Sequence, residues 1–481
     1  MSTIALPVPD ARILGEREGI IAGLAAILGP EGVIAAEDER RAYETDAFTA
    51  YRVIPLAVVL PSSTEQVAAV MKFLGEKRVK IVPRGAGTSL SGGAIPSEDC
   101  VVIGLSRMNR ILGVDYANRT ARVEAGVTNL VITGAVSHRG FFYAPDPSSQ
   151  LACTIAGNVA MNSGGAHCLK YGVTTNNVLA VRMVLIDGTA VDIGGDHLDA
   201  PGLDLLGLVI GSEGQFGIVT EATVRILRAA EGARPMLMGF GTAVDAGGCV
   251  AAIMASGVLP VAIEYMDKPC IAACESFAHA GYPLDVEAML IVEVEGSQAE
   301  IDDQLARIVA IAAPFRPTVT RVSKSEAESA AIWKGRKAAF GAMGKIADAY
   351  LCMDGVIPTG RLPEVLDKVS AICASHGVAV SNVFHAGDGN LHPLILFNPN
   401  DPDQLARAET AGAEILRLCV EVGGCLTGEH GVGIEKRDLM PFQFSPADLD
   451  IQMAVKSVFD PAWLLNPAKV FPLAGRPQAV Q

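Results

Sequence analysis

Long apolar runs are absent from this chain of 481 residues, although half of its residues are hydrophobic. No stretch approaches the roughly 18–20 consecutive apolar residues that a membrane-spanning helix needs. The first residues, Met1 to Arg17, mix charges with prolines and lack the pattern of a secretory signal. We therefore expect a soluble, cytoplasmic protein. The sequence leaves open a peripheral position at the inner face of the membrane.

An excess of basic residues and closely paired cysteines are missing as well. The formal net charge is −15 and the pI is about 5.0, whereas a nucleic-acid binder normally has a basic face. The ten cysteines form no CxxC pair, and the closest two are Cys270 and Cys274. Iron–sulfur and structural zinc sites need clustered thiolates. We expect no nucleic-acid partner, and thiols that are reduced and mostly buried.

The first half of the chain is predicted to begin with an arm over residues 1–45, followed by a strand–helix–strand unit. Strands are predicted at 57–60 and 79–82. The helix between them opens at Ser63, and Gln66 stands three residues later as in a capping box. Short strands and glycine-rich turns continue to 228. A boundary is predicted near 229, because longer helices (299–313, 362–375, 404–422) then alternate with strands such as 288–295.

A glycine-rich loop, Pro83 to Gly93, directly follows the second predicted strand. Glycines allow positive φ and close approach of the backbone, so consecutive N–H groups can form a nest for a phosphate. The spacing matches neither the GxGxxG fingerprint nor a P-loop. Taken alone, the loop is equally compatible with a tight surface turn.

Two further segments repeat this composition. Small residues dominate 144–172, which contains Thr154-Ile-Ala-Gly157-Asn158, and they dominate 211–219. Such composition suits backbone packed flat against a large ligand. Three loops of this kind in one half of the chain are hard to explain as ordinary turns. Together they predict a large phosphate-bearing cofactor.

Only eight histidines are present, and two of them bracket the motif His385-Ala-Gly-Asp-Gly-Asn-Leu-His392. Asp388-Gly389 is a strong two-residue hairpin turn. That turn would pair Gly387 with Asn390 and place His385 opposite His392. Cross-strand partners have Cβ atoms roughly 4.5–5.5 Å apart. Two imidazoles at that distance can chelate one divalent metal.

A second motif, Gly428-Glu429-His430-Gly431, adds an acid and a third imidazole. Glu429 could complete a His385/His392/Glu429 site with an open position, as catalytic metals need. His430 would then remain available as a base. The alternative is that these histidines only satisfy hydrogen bonds in a core.

The three glycine-rich loops, in this order, resemble the FAD-binding half of the vanillyl-alcohol-oxidase (PCMH-type) flavoprotein family. The resemblance implies that the first loop holds the FAD pyrophosphate and that the other two line the ribityl chain and the flavin ring. It also implies non-covalent FAD, because the first loop carries no histidine. The implied FAD contacts are Arg84, Gly85, Ala86, Gly87, Thr88, Ser89, Ser91, Pro145, Asp146, Ser148, Thr154, Gly157, Asn158, Gly164, Gly165, Glu213 and Ile218.

The two histidine motifs resemble the D-2-hydroxy-acid branch of the same family, most closely the FAD-linked subunits of bacterial glycolate oxidases. The similarity runs from about Ala42 to Pro472 and includes Ala144-Pro-Asp-Pro-Ser-Ser-Gln150 and Cys352-Met-Asp-Gly355. It implies an α+β fold: a PCMH-type FAD-binding domain of two α/β subdomains at 46–228 and an α+β cap with an antiparallel sheet. The cap would span 229–454 and carry the metal site, and 455–481 would pack back on the FAD domain.

The resemblance also implies a mechanism. The metal would bind the carboxylate and hydroxyl oxygens of the substrate, His430 would take the hydroxyl proton, and a hydride would pass from Cα to flavin N5. Arg336 matches the position that binds the substrate carboxylate in relatives. The alternative interpretation of Arg336 is a surface charge on a helix. Zinc is the metal expected first, and manganese and iron also suit these ligands.

The expected substrate is a small 2-hydroxy acid, glycolate or D-lactate. Relatives that oxidise 2-hydroxyglutarate carry polar groups where this chain has Phe340, Cys352 and Leu394. Burying a second carboxylate there unpaired would be costly. D-2-hydroxyglutarate dehydrogenase, a stand-alone D-lactate dehydrogenase, a non-catalytic partner subunit and a metal-dependent hydrolase of a nucleotide-like substrate remain alternatives. Electrons would leave to a second flavin subunit and an iron–sulfur subunit, or to another acceptor.

Overall fold

The computed structural model describes residues 4–197 and 202–473. The contacts divide the chain into two compact units. The N-terminal unit comprises Ile4–Gly164, Gly172–Ala229 and the chain from Glu429, and the central unit contains Gly165–Tyr171 and Ala230–Gly428. In the described residues, no helix is both long and apolar enough to cross a membrane.

The N-terminal unit is built on a four-stranded sheet and a five-stranded sheet, with a two-stranded ribbon. The four-stranded sheet has the order β1-β2-β4-β3 and pairs β4 in parallel with β2 and β3. The five-stranded sheet, β5-β6-β10-β8-β9, is antiparallel throughout. The strands are β1 Val33–Ile34, β2 Ala57–Val59, β3 Lys80–Arg84, β4 Cys100–Gly104, β5 Ile111–Asp115, β6 Thr120–Glu124, β7 Phe141–Phe142, β8 Val178–Val184, β9 Ala190–Gly194, β10 Ile218–Arg225 and β11 Leu227–Arg228.

The central unit is organised around one seven-stranded sheet in the order β15-β12-β14-β13-β17-β18-β16. All of its pairs are antiparallel. Its middle strands are almost wholly buried, in keeping with their runs of β-branched and aliphatic residues. The strands are β12 Gly232–Phe240, β13 Ala262–Asp267, β14 Ala288–Gly296, β15 Val319–Val322, β16 Ala349–Cys352, β17 Ala379–His385 and β18 Pro393–Phe397.

The helices follow the chain through both units. They are α1 Ala11–Gly15, α2 Arg17–Leu28, α3 Glu37–Arg40, α4 Thr64–Lys77, α5 Asn129–Val136, α6 Ile155–Met161, α7 Cys168–Tyr171, α8 Thr174–Asn177, α9 Leu205–Val209, α10 Ala243–Ala255, α11 Lys268–Ala278, α12 Gln298–Ala312, α13 Glu326–Lys337, α14 Ala339–Ala342, α15 Leu362–Ser375, α16 Pro402–Glu421, α17 Met440–Gln443 and α18 Pro446–Phe459.

Local sequence signals account for several of these elements. Ser63 caps α4 by accepting a hydrogen bond from the Gln66 N–H at 3.3 Å. The reciprocal bond of the predicted capping box is different: Gln66 Oε1 accepts from the Ser62 N–H instead. The apolar stripe of α4 then joins the core of the N-terminal unit. The predicted helix at 362–375 has the observed bounds.

The architecture is a mixed α and β fold with antiparallel sheets, as expected. The units differ from the predicted domains in two places. The segment Gly165–Tyr171 groups with the central unit because His167 bonds to Glu293 on β14, with Nε2 and Oε2 2.8 Å apart. The chain returns to the N-terminal unit at Glu429, whereas the predicted cap extends to 454.

Candidate active site

The first glycine-rich loop follows β3 and has no regular secondary structure. Gly87 has φ +72 and Gly92 has φ +76, conformations that glycine tolerates best. Within 4–197 and 202–473, no protein acceptor takes the backbone N–H groups of residues 86–90. Consecutive N–H groups of this kind are what an anionic phosphate needs. The loop therefore fits the pyrophosphate of FAD.

The second segment packs directly against the first loop. Thr154 caps α6 by accepting from the Gly157 N–H. A Cβ at Gly85 would collide with the Thr154 hydroxyl, so the two segments approach each other as only glycine allows. Asn129 binds the Pro145 carbonyl, with Nδ2 and O 2.8 Å apart, and accepts from Asn158 Nδ2. This buried amide network fixes the shape of the second segment.

Several residues predicted to contact FAD have side chains that serve the protein itself. Arg84 Nη1 donates to the Thr45 carbonyl at 2.8 Å, and burial lowers the pKa of this guanidinium. Ile218 lies in the apolar core. Gly165 groups with the central unit. Asp146 is half-buried and Ser148 is exposed. A contact of these residues with FAD remains a prediction.

Glu213 holds the segment that carries His430. Its backbone lies in the left-handed region, at φ +52, and its side chain is buried. Oε1 accepts from the Val432 N–H at 2.6 Å, and Oε2 accepts from the Gly433 N–H at 2.8 Å. Burial raises the pKa of this carboxyl, while the two N–H donors act against that increase. The third glycine-rich segment is thus a clamp on the loop after His430.

Replacing Glu213 by glutamine should weaken this clamp. One amide oxygen can accept only one of the two bonds cleanly, and the NH₂ group would face an N–H donor. We expect a loss of about 1–3 kcal/mol in the free energy of unfolding, measured by urea denaturation with FAD present. Glu221→Gln is the matched control, because Glu221 is a half-buried acid on β10 of the same unit that pairs with Arg122. Equal stability of the two variants would contradict the clamp.

The first glycine-rich loop also contacts the His430 segment. Ser91 Oγ donates to the His430 carbonyl at 2.9 Å, and the Ser91 carbonyl accepts from the Ile434 N–H at 3.0 Å. His430 Nε2 lies 3.9 Å from Glu429 Oε1. A Cβ on Gly164 would stand 2.6 Å from Glu429 Oε2, so the second segment borders this carboxylate as well. The segment around Glu429 and His430 is therefore hydrogen-bonded to the first and third glycine-rich segments and borders the second.

The central unit brings His385 and His392 together, although the predicted pairing is wrong. His385 faces Asn390, and Asn382 faces Pro393. The loop is longer than the two-residue Asp388-Gly389 turn, because residues 386–389 all lie in it. His385 and His392 are thus diagonal neighbours on one face of the hairpin, with ring centroids 5.1 Å apart. Both are buried, and this imidazole pair suits a divalent metal.

Arg336 is buried near the end of α13, which excludes the alternative of a surface charge. Its Nε donates to Glu264 Oε2 at 2.7 Å. The other oxygen, Oε1, lies 2.7 Å from His385 Nδ1. Sequence reasoning missed Glu264, an acid between Ile263 and Tyr265 in strand β13. Burying such a charge costs several kcal/mol unless it is paired, so its two partners are what make it tolerable there.

Asp354 is a second fully buried acid that the sequence did not single out. Oδ1 lies 3.0 Å from Asn390 Nδ2 and 3.6 Å from His392 Nε2. Oδ2 accepts from the Gly428 N–H at 3.0 Å and from the Thr427 hydroxyl. Asp354 therefore ties the histidine hairpin to the residues directly before Glu429 in the chain. The one sign of Asp354 in the sequence was its place in Cys352-Met-Asp-Gly355, a string that belongs to the family resemblance.

The residues predicted to limit substrate size also lie in the central unit. Cys352 and Leu394 are register partners on β16 and β18, and both are buried. Phe340 is half-buried, with its ring centroid 6.1 Å from that of Tyr350. None of the three side chains could pair with a carboxylate.

Comparisons with known proteins agree with this geometry. Residues 55–194 match the family described as FAD binding domain, and residues 230–470 match FAD linked oxidases, C-terminal domain. The structure is similar to p-cresol methylhydroxylase with substrate bound, with a TM-score of 0.80 at 16% identity over 96% of this chain and 98% of that one. The fold is therefore of the PCMH type, and the protein is an FAD-linked oxidoreductase.

Two curated relatives are similar over almost their whole length. Glycolate oxidase subunit GlcD of Escherichia coli (strain K12) is 47% identical over 444 residues, which cover 92% of this chain and 89% of the relative. D-lactate dehydrogenase of Anaerostipes hadrus is 31% identical over 92% of this chain and 95% of that protein. The chain belongs to the FAD-linked oxidase family that includes these two enzymes. This membership confirms the resemblance found in the sequence and does not fit the hydrolase alternative.

Proposed function

We propose that the protein oxidises a small 2-hydroxy acid, glycolate or D-lactate, to the 2-oxo acid with FAD bound non-covalently. The main support for the proposal is that the segment containing His430 is hydrogen-bonded to two of the glycine-rich segments. Ser91 Oγ donates to the His430 carbonyl, and the Glu213 carboxylate accepts from the next two backbone N–H groups after Gly431. A base fixed to the loops that bind FAD is what an alcohol oxidation needs. The relatives named above are a glycolate oxidase subunit and a D-lactate dehydrogenase.

Bound FAD supplies the hydride acceptor, and the protein supplies the proton acceptor and the anchor. His430 takes the hydroxyl proton, a role suited to an imidazole near neutral pH. Arg336 binds the substrate carboxylate, because a buried guanidinium can offer two parallel N–H groups. The backbone N–H groups of residues 86–90 hold the phosphates, whereas the Ser91 hydroxyl holds the His430 carbonyl. These roles follow from position and chemistry.

We further propose that His385, His392 and Glu429 hold a divalent metal, with zinc first and manganese or iron as alternatives. The two buried imidazoles 5.1 Å apart support this proposal. A metal with an open position supplies Lewis-acid chemistry to an oxygen of the substrate. The chain's part is to fix the ligands, which Glu264 does for His385 and Asp354 does for the hairpin.

The substrate class can be tested by anaerobic bleaching of the flavin. We expect glycolate or D-lactate to reduce the FAD absorbance and D-2-hydroxyglutarate to fail, because Phe340, Cys352 and Leu394 leave a second carboxylate unpaired. L-lactate is the stereochemical control. Bleaching by D-2-hydroxyglutarate alone would overturn the monocarboxylate assignment. Bleaching by none of the four acids would overturn the proposed function.

The electrons must then leave the flavin. The Escherichia coli relative is named as a subunit, which supports a multi-subunit enzyme. We propose a second flavin subunit and an iron–sulfur subunit as acceptors, or else a separate carrier. Copurification of the tagged chain from its native cells tests this part.

A further inference from the structure

We propose that Glu264 is a positioning residue that orients Arg336 and His385 together, so that substrate anchoring and metal binding depend on one carboxylate. This inference rests on the proposed function, because it assigns those two roles to Arg336 and His385. Glu264 stands in the middle of β13, and none of its side chain is exposed to solvent. β13 pairs with both β14 and β17, so the acid occupies the interior of the seven-stranded sheet.

The two oxygens of Glu264 have separate partners. Register places Glu264 directly opposite His385, and Oε1 lies 2.7 Å from its Nδ1. Oε2 accepts from Arg336 Nε at 2.7 Å. Arg336 Nη2 lies 2.6 Å from the same oxygen as an ion pair, without the alignment of a hydrogen bond. One fully buried carboxylate is thus shared by two functional side chains.

The consequence for His385 is a fixed tautomer. With Arg336 donating to Oε2, the carboxylate accepts the hydrogen of Nδ1. The lone pair then resides on Nε2, and this is the nitrogen that would bind a metal. Carboxylates in this outer position orient metal-binding histidines and contribute about 10- to 100-fold to metal affinity.

The consequence for Arg336 is an oriented guanidinium. Glu264 occupies the Nε edge, and the planar fork cannot rotate without breaking that bond. Nη2 is buried and lies against the same Glu264 oxygen, so this carboxylate fixes one whole edge of the guanidinium. The proposed function assigns the remaining N–H groups of the guanidinium to the substrate carboxylate.

The test compares Glu264→Gln with Glu293→Gln in the FAD-loaded protein. Glutamine cannot accept from both partners. Its NH₂ group would face either the Arg336 donors or His385 Nδ1, and the second arrangement would move the histidine hydrogen to Nε2. Glu293 is the matched control, because it stands on the adjacent strand and also bridges two side chains, with Oε2 at 2.8 Å from His167 Nε2 and Oε1 at 2.7 Å from Trp333 Nε1.

We expect Glu264→Gln to raise the Kd for Zn²⁺, measured by chelator competition, about 10- to 100-fold. It should also raise the KM for the hydroxy acid about tenfold, the effect of one lost hydrogen bond to a charged group. Glu293→Gln should leave both values within about twofold of wild type, as expected for a residue outside the site. A Glu264→Gln protein that matches wild type in both, or that changes only one of them, overturns the shared role.

A measurement on the wild-type protein covers the case in which Glu264→Gln does not fold. Histidine-selective ¹⁵N labelling reports which ring nitrogen carries the hydrogen, and the signal of His385 is assigned by its loss in His385→Gln. We expect the Nδ1–H tautomer, and the Nε2–H tautomer would overturn the inference. If the wild type takes up no divalent metal and oxidises none of the hydroxy acids, the proposed function fails. If it does both and Glu264→Gln behaves like wild type, only this inference fails.

Discussion

Replacing His430 by glutamine should lower kcat for the hydroxy acid by about 10²- to 10⁴-fold, the usual contribution of a positioned general base. Glutamine keeps the volume and a polar end but cannot take the hydroxyl proton. FAD should stay bound, because Ser91 and Glu213 contact the backbone of this segment and not the imidazole. Stopped-flow reduction of the flavin measures the affected step directly.

The control for this experiment is His376→Gln. His376 follows α15 and pairs with Glu414, with Nε2 and Oε2 2.8 Å apart. The same chemical change there should leave the reduction rate within about twofold, because surface substitutions away from a site have small effects. The two roles of His430 can also be separated. Loss of a base lowers kcat with little change in KM, whereas loss of a purely structural group would reduce FAD content and stability. A His430→Gln protein that reduces its flavin within tenfold of the wild-type rate would contradict the assignment.

The sequence predicts most of this fold because its local signals are strong. Ser63 caps α4, and apolar periodicity marks 362–375 with the observed bounds. The glycine-rich loop after β3 is likewise visible from composition alone. These features depend on neighbours in the sequence, and therefore a single chain reveals them.

The features that the sequence did not predict depend on contacts between residues far apart in the chain. Glu264 and His385 are separated by 121 positions, and only the register of β13 against β17 brings them together. An acid between apolar and aromatic neighbours in a strand gives no sign of such a partner. The contact division of the chain also depends on distant partners. Glu213 accepts a hydrogen bond from the Val432 N–H across 219 positions, and the chain from Glu429 groups with the N-terminal unit.

The histidine hairpin shows that a correct site can follow from an imperfect register. The Asp388-Gly389 turn predicted His385 opposite His392, but the observed partner is Asn390. A shift of two positions keeps a side chain on the same face of a strand, because the period of a strand is two. The imidazoles therefore remain neighbours. A shift of one position would have sent His392 to the other face of the sheet.

Removal of the divalent metal should abolish most of the activity. The loss should be reversible in the wild type and permanent in a variant that lacks the metal ligands. Dialysis of the wild type against a chelator should lower kcat/KM by about 10³-fold or more, since Lewis-acid assistance contributes several kcal/mol and each 1.36 kcal/mol is tenfold. The FAD absorbance should persist, because residues 86–90 and the metal ligands are different groups. Added Zn²⁺, Mn²⁺ or Fe²⁺ should restore the wild type, and the ion that restores it best identifies the metal.

The variant His385→Gln/His392→Gln should lose the same activity without rescue, because it lacks both imidazoles of the hairpin. His167→Gln is the control, since His167 is another histidine of the central unit paired with a buried acid, Glu293, but it lies outside the proposed ligand set. It should bind metal and respond to dialysis like the wild type. Full activity of the double variant, or of wild type stripped of every divalent ion, would remove the metal from the mechanism. In that case the hairpin would be a structural element, and His430 with Arg336 would have to account for the chemistry alone.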